Sequence, residues 1–138
     1  MTTTLETPRA GPRVTLWLLR LLITAHLLAV LCQPVLAGLF LTGDVDAITL
    51  HATIGSSLAA VGLAVVGATL AYVIGGRGRL WVLPVATALF LADGFQIGAG
   101  YDRRLQLHIP LGVAIVVTTA LLTVWIWSPG ARRSRRSR

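Results

Sequence analysis

The sequence predicts an all-α integral membrane protein, a four-helix bundle whose helices run alternately up and down. The chain of 138 residues is 55% hydrophobic, with a mean hydropathy of +0.78. Only 12% of its residues are charged, about half the share in a soluble domain. Four apolar stretches each hold the roughly 20 residues that cross a bilayer core. Their Leu, Ala and Val runs lack strand-like alternation, so helices rather than barrel strands must satisfy the backbone in lipid.

The four spans form one predicted domain of residues 14–127. We place them at about 14–41, 47–74, 80–99 and 105–127. The connections "TGDVD", "GGRGR" and "GYDRR" are short, polar and rich in turn formers, which makes successive helices antiparallel neighbours. Residues 1–13 precede this domain, and a basic tail of residues 128–138 follows it. The first span ends in small residues, "PVLAG", but its apolar stretch is longer than that of a signal peptide, so we expect it to be retained.

The arginines predict the orientation. Ten of the twelve basic residues, all arginine, lie on the side of the two termini and the middle loop, and only Arg103 and Arg104 lie opposite. The positive-inside rule then predicts cytoplasmic termini in a bacterial-type inner membrane. The tryptophans belong to the same side, where they form an interfacial belt: Trp17, Trp81, Trp125 and Trp127. The basic tail adjoins a span, so we expect it to attract anionic lipid head groups and not nucleic acid.

Two copies of one motif carry the functional prediction. "LHATIG" and "LHIPLG" open the second and fourth spans, and each places a glycine four residues after a histidine: Gly55 after His51 and Gly112 after His108. The histidines lie at matching depths, roughly 6 and 5 Å below the outer helix ends. Two neutral imidazoles on non-adjacent helices can ligate a haem iron from both faces. A glycine one turn further on leaves room for the flat macrocycle. The motif therefore predicts bound haem b.

A weak internal repeat adds two glutamines to this site. "CQPVLAG" followed by "LHATIG" resembles "GFQIGAG" followed by "LHIPLG", so each helix pair supplies one glutamine and one histidine. Gln33 and Gln96 are therefore candidate cofactor-binding residues in the outer leaflet. The alternatives to haem are a structural histidine pair with satisfied hydrogen bonds or another metal ion.

The remaining polar residues are each expected to have a role of their own. Arg104, and with it Arg103, precedes His108 by one turn and could hold a haem propionate, whereas the alternative is a loop charge paired with Asp102. Arg20 is expected to snorkel to the cytoplasmic surface. His26 lies about 22 Å from the outer end of its helix, which is too deep for the same haem and favours a hydrogen-bonded packing role.

The spans and their histidines resemble one half of haem A synthase, a four-helix unit with histidines near the outer ends of its second and fourth helices. They are also similar to small bacterial four-helix membrane proteins with Leu-His motifs in those helices. His51 and His108 match the haem-ligating positions. The catalytic-type half has a glutamate three residues before the first histidine, where this chain has Ile48, and a cysteine pair that "GDVDAI" lacks. The resemblance therefore implies haem binding rather than oxygenation of haem.

We accordingly expect a membrane b-type haem protein that transfers electrons or handles haem, with no catalytic residue assigned. The alternatives are a cofactor-free accessory subunit, or a small transporter that uses Asp93 as its protonatable group. The expected partners are the lipid bilayer, a redox partner or a second copy of the chain. Small residues of the second span would permit close contact with that copy, namely Gly55, Ala59 and Gly62.

Overall fold

The computed structural model describes residues 13–135, and this part of the chain is helical without strands. The elements are α1 (Arg13–Leu41), α2 (Val45–Ile74), α3 (Val82–Tyr101), α4 (Leu105–Trp127) and a short 3-10 helix, Pro129–Arg132. Each of the four long helices is long and apolar enough to cross a membrane. The prediction of an all-α, multi-pass four-helix membrane protein is confirmed. Residues 1–12 of the N-terminal segment and 136–138 of the basic tail lie outside the described residues.

The four helices close into a ring. α1 and α3 each pack against both α2 and α4, so α1 faces α3 diagonally across the bundle and α2 faces α4. We call the end formed by residues 42–44 and 102–104 the hairpin end. The opposite end, formed by the α2–α3 loop and the 3-10 helix, is called the tail end. Chain order and short loops thus bring the diagonal partners to face one another around a shared centre.

Two helices, α2 and α3, have boundaries that differ from the prediction by two residues. α2 begins at Val45, two residues earlier than predicted, because the Asp44 side chain accepts hydrogen bonds from the main-chain nitrogens of Asp46 and Ala47. Such a cap satisfies amide groups that have no partner inside the helix. α3 begins and ends two residues later than predicted, at Val82 and Tyr101. These shifts leave the order and number of the spans unchanged.

The two hairpin turns share one geometry. The Asp44 nitrogen donates to the Leu39 carbonyl at 3.1 Å, and the Arg104 nitrogen donates to the Ala99 carbonyl at 2.9 Å. In each turn the preceding residue has a positive φ, which is +106° at Gly43 and +56° at Arg103. This is the Schellman end of a helix, where glycine is the favoured residue. Arginine in that conformation costs on the order of 1 kcal/mol or more.

The outside of the bundle is apolar. Each long helix exposes a leucine by more than half of its surface: Leu21, Leu63, Leu91 and Leu121. The interior is closed most completely toward the tail end, where Leu19, Ile23, Tyr72, Val82 and Ile126 have no exposed surface. An apolar exterior of this kind requires lipid rather than water around it.

Tryptophans form two edge-to-face pairs at the tail end. Trp17 packs on Trp127 with ring centroids 5.5 Å apart, and Trp81 packs on Trp125 at 4.5 Å.

Arg20 lies between the rings of Trp17 and Trp127, 5.0 and 4.9 Å from their centroids, and it is only 2% exposed. The expectation that Arg20 snorkels to the surface is wrong. Two aromatic faces and the Ile126 carbonyl, 3.1 Å from Nε, replace water around the guanidinium.

The tail is tied to the α2–α3 loop by Tyr72. Its hydroxyl donates to the Ala131 carbonyl at 3.0 Å and accepts from the Arg79 nitrogen at 3.3 Å. The Arg135 nitrogen donates to the Arg77 carbonyl at 2.7 Å. These bonds hold the basic tail and the basic loop against each other.

Candidate histidine site

His51 and His108 meet across the bundle near the hairpin end. Their ring centroids lie 6.0 Å apart and the rings are inclined by 54°. His51 belongs to α2 and His108 to α4, the helices that face each other diagonally, and both side chains are half-buried. The structure therefore brings together the two histidines that the repeated motif singled out.

Each imidazole is held by the main chain of a neighbouring helix. Nδ1 of His51 lies 3.1 Å from the carbonyl oxygen of Gln33, and Nδ1 of His108 lies 2.9 Å from that of Gln96. A carbonyl oxygen only accepts hydrogen bonds, so both Nδ1 atoms carry the hydrogen and donate it. In a neutral imidazole the lone pair then resides on Nε2. Each imidazole is thus held in place through Nδ1 and keeps a lone pair on Nε2.

The side chains of the same glutamines lie against the motif glycines. A Cβ atom at Gly55 would lie 3.2 Å from Gln33 Oε1, and one at Gly112 would lie 2.8 Å from Gln96 Nε2. The sequence interpretation reserved the space beside these glycines for a macrocycle. In the structure an amide group occupies it on both sides, and only a glycine admits that amide so closely. Gln96 Oε1 is buried there without a hydrogen-bond partner.

Gly100 is a further site residue, which the sequence analysis missed. A Cβ atom at this position would lie 2.9 Å from Cε1 and 3.1 Å from Nδ1 of His108. Its absence lets the imidazole ring pack directly against α3, where it reaches the Gln96 carbonyl. The signal was present in "GFQIGAG", although three glycines in one stretch do not reveal which of them contacts a ring.

The two hairpin-end arginines lie at the surface. Arg103 is exposed, and the exposed Arg104 has Nε 3.5 Å from Asp102 Oδ2. α4 begins at Leu105, so Arg104 is its N-cap residue with a non-helical ψ of 67°. The Arg104 carbonyl accepts a helical hydrogen bond from the His108 nitrogen at 2.9 Å, one turn along α4. An exposed pair of this length contributes about 0–1 kcal/mol.

A second polar contact crosses the other diagonal. Nε2 of His26 on α1 lies 2.8 Å from Oδ2 of Asp93 on α3, and their side chains are each 1% exposed. Their other polar atoms, His26 Nδ1 and Asp93 Oδ1, are buried without a hydrogen-bond partner. His26 thus has the expected hydrogen bond. That bond reaches Asp93 on the helix that lies diagonally across the bundle.

The glycines proposed for contact with a second copy face inward. Gly55 lies against Gln33, and a Cβ atom at Gly62 would lie 3.0 Å from Asp93 Oδ2 and 3.3 Å from Phe90 Cδ2. The expectation of an outer contact surface is therefore wrong for the buried Gly62, whereas Gly55 and Ala59 are half-buried and contact with a second copy stays a prediction. An open surface groove of about 460 Å³ lies instead on the outer side of α2, lined by Ile48, Thr49, Ala52, Thr53, Ser56 and Tyr101.

No protein-family model, curated protein or solved structure matches the chain. The fold defines a multi-pass, four-helix membrane protein. Its candidate site is a pair of diagonal imidazoles, each oriented by a main-chain carbonyl.

Proposed function

We propose that the protein binds one haem b between His51 and His108 and serves in electron transfer or haem handling. One observation supports this most strongly. Both imidazoles donate Nδ1–H to a main-chain carbonyl, and both therefore offer Nε2 to a ligand from opposite sides of the bundle. Hydrogen bonds of this type fix the ring orientation and raise the basicity of a metal-ligating histidine.

The separation of the rings suits one metal ion between them. Two imidazoles bound to a single ion through bonds of about 2 Å have centroids roughly 6 Å apart, and the observed value is 6.0 Å. Within residues 13–135 no group of three or more His, Cys, Asp or Glu side chains could hold a metal ion. Structural zinc takes four protein ligands, whereas haem iron needs only the two axial ones from the chain. The donor set therefore favours haem over zinc.

The residues around the imidazoles receive defined roles in this proposal. The Gln33 and Gln96 carbonyls orient the two ligands, and Gly55, Gly112 and Gly100 keep the surroundings free of side-chain carbon. The amides of Gln33 and Gln96 would have to turn away from these glycines to admit the macrocycle. Bound haem supplies a one-electron redox centre, and paired imidazole ligation keeps it closed to oxygen chemistry.

The distribution of the arginines predicts which side of the membrane the site faces. With the termini in the cytoplasm of a bacterial-type cell, the hairpin end and its histidines lie in the outer leaflet. Arg103 and Arg104 are then the cations available to haem propionates directed toward water. A redox partner would approach this end. The likeness to half of haem A synthase supports haem binding, and the lack of its glutamate at Ile48 speaks against haem oxygenation.

An optical spectrum of purified protein reconstituted with haem b tests the proposal. We expect the sharp reduced bands of a low-spin, bis-histidine centre. His51→Ala or His108→Ala should give a five-coordinate or haem-free protein. His26→Gln is the matched control, because an amide can still donate to Asp93, and it should keep the low-spin spectrum. A wild-type protein without these bands would instead support a cofactor-free accessory subunit. Loss of haem from the His26 variant alone would refute the ligand assignment.

A further inference from the structure

The His26–Asp93 contact is an ionisable pair sealed inside the bundle. Both side chains are 1% exposed, and one hydrogen bond of 2.8 Å joins Nε2 to Oδ2. That bond needs one proton between the two groups. His26 Nδ1 and Asp93 Oδ1 have no partner, so the pair has two further positions at which a second proton can bind. Ionisable groups at such depth are expensive to insert and usually functional.

The number of protons decides the charge of the pair. With one proton the imidazole is neutral and the carboxylate charged, so the pair carries one negative charge. A second proton makes it neutral overall, whichever atom holds it. A net charge in an apolar interior is costly, and a positive charge nearby lowers that cost for the singly protonated pair.

The helices connect this pair to the histidine site. Asp93 lies three residues before Gln96 on α3, and His26 lies seven residues before Gln33 on α1. Spacings of three and seven place residues on one helical face, with rises of roughly 4.5 and 10 Å. Each member of the pair therefore lies on the same helical face as the carbonyl that orients one of the two imidazoles. The buried, unpartnered Gln96 Oε1 continues the polar face of α3 from Asp93 toward the hairpin end.

We propose that His26 and Asp93 form a proton-binding site whose occupancy is linked to the redox state of the iron held by His51 and His108. This inference rests on the proposed function. The core of a bis-histidine haem carries one positive charge when oxidised and none when reduced. Reduction removes the charge that favours the singly protonated pair, so each electron taken up favours uptake of one proton from water. The electron comes from a one-electron donor, which a chemical reductant supplies in the test.

The size of the linkage follows from Coulomb's law. In a medium of effective dielectric constant near 20, two unit charges separated by a distance on the order of 10 Å alter a proton affinity about tenfold. The other ionisable side chains that the described spans bury wholly or in part are Arg20 on α1, His51 and Tyr72 on α2, and His108 on α4. Arg20 keeps its charge throughout, and Tyr72 lies at the tail end. His51 and His108 would be held by the iron in the haem-loaded protein.

Redox titration of the haem-loaded protein between pH 5 and pH 9 tests the inference. The midpoint potential should fall as the pH rises, because protonation favours the reduced state, and the fall should be confined to a window of about one pH unit. A tenfold change corresponds to about 59 mV for a one-electron couple. Asp93→Asn should abolish the fall. Thr69→Val, which removes a buried hydroxyl of α2, is the matched control and should retain it.

The possible outcomes separate the two proposals. A wild-type protein that binds no haem overturns both, and the missing absorption bands reveal it before any titration. A low-spin haem whose potential is constant across this range overturns only the proton linkage. An Asp93→Asn variant with the wild-type fall overturns it as well. If that variant does not fold, the double variant His26→Gln/Asp93→Asn provides the same comparison, since it removes both ionisable groups while two amides can still form the hydrogen bond.

Discussion

Gln96 Nε2 lies so close to Gly112 that a Cβ atom there would be 2.8 Å away. The main-chain carbonyl of the same glutamine accepts from Nδ1 of His108 at 2.9 Å. One residue of α3 thus fixes both a ligand of the proposed haem and the space beside it. The equivalent distance in the other half, from Gly55 to Gln33, is 3.2 Å.

Gly112→Ala and Gly55→Ala should each weaken haem binding, because the added methyl group would occupy space that the macrocycle needs beside the imidazoles. The fold should change little, since alanine favours the helix by about 0.5–1 kcal/mol and the displaced amide is the end of a flexible side chain. Haem titration followed by absorption measures the effect. Gly94→Ala is the control, because its Cβ atom would contact nothing within 4 Å. Equal affinities in all three variants would contradict the prediction.

Gly62→Ala should destabilise the bundle by about 1–3 kcal/mol, the usual cost of overpacking. Its Cβ atom would lie 3.0 Å from Asp93 Oδ2, which is hydrogen-bonded to His26, and 3.3 Å from Phe90 Cδ2, and both contacts are tighter than side chains usually make. Thermal unfolding in mild detergent measures the loss. Gly67→Ala on the same helix meets nothing within 4 Å and should unfold like the wild type. Identical unfolding of the two variants would show that α2 moves away from α3 at little cost.

Replacing Arg103 and Arg104 together with glutamine should weaken haem retention and lower the midpoint potential, because positive charge near the iron favours its reduced state. A separate variant, Arg103→Gly, tests how the backbone conformation of Arg103 affects the stability of the fold. Relief of its positive φ of +56° should raise the unfolding free energy by up to about 1 kcal/mol. If haem retention and potential both stay at wild-type values in the double variant, the two arginines are loop charges with no role toward propionates.

Tyr72→Phe should release the tail from the α2–α3 loop. The substitution removes a donor to the Ala131 carbonyl and an acceptor for the Arg79 nitrogen, and a buried group left without its partner costs about 1–3 kcal/mol. Limited trypsin digestion should then cleave at Arg132 and Arg133 sooner than in the wild type. Tyr101→Phe is the matched control, because it alters an exposed hydroxyl near Ser56 and should leave the tail unaffected.

A reporter fused after Arg138 should be active only in the cytoplasm, because ten of the twelve arginines lie on the side of the termini. A second reporter inserted after Asp102 should be active only outside. The opposite pattern would place the histidines in the inner leaflet and would make a cytoplasmic redox partner necessary. Each fusion is the control for the other, because the two positions should lie on opposite sides of the membrane. A reporter that fails to fold is recognised because it gives no signal on either side.

Composition and hydropathy were sufficient to predict the four spans, their order and their antiparallel packing. Lipid demands long apolar helices, and short polar loops leave few ways to connect them. The repeated Leu-His-x-x-x-Gly motif was sufficient to single out His51 and His108, because charged and polar residues are rare enough in a span for a repeat to be noticed.

The tertiary structure alone decided which polar atoms meet. Each histidine takes its carbonyl from the preceding helix, His26 pairs with Asp93 across a diagonal, and Arg20 stays between two tryptophans instead of reaching water. Counting residues from helix ends compares depths only when the helices are equally long and end at one height, and here their lengths range from 20 to 30 residues. Rotation about each helix axis also decided that Gly62 faces Asp93 rather than lipid. Rotation and relative height depend on how whole helices pack, which no local pattern in the sequence records.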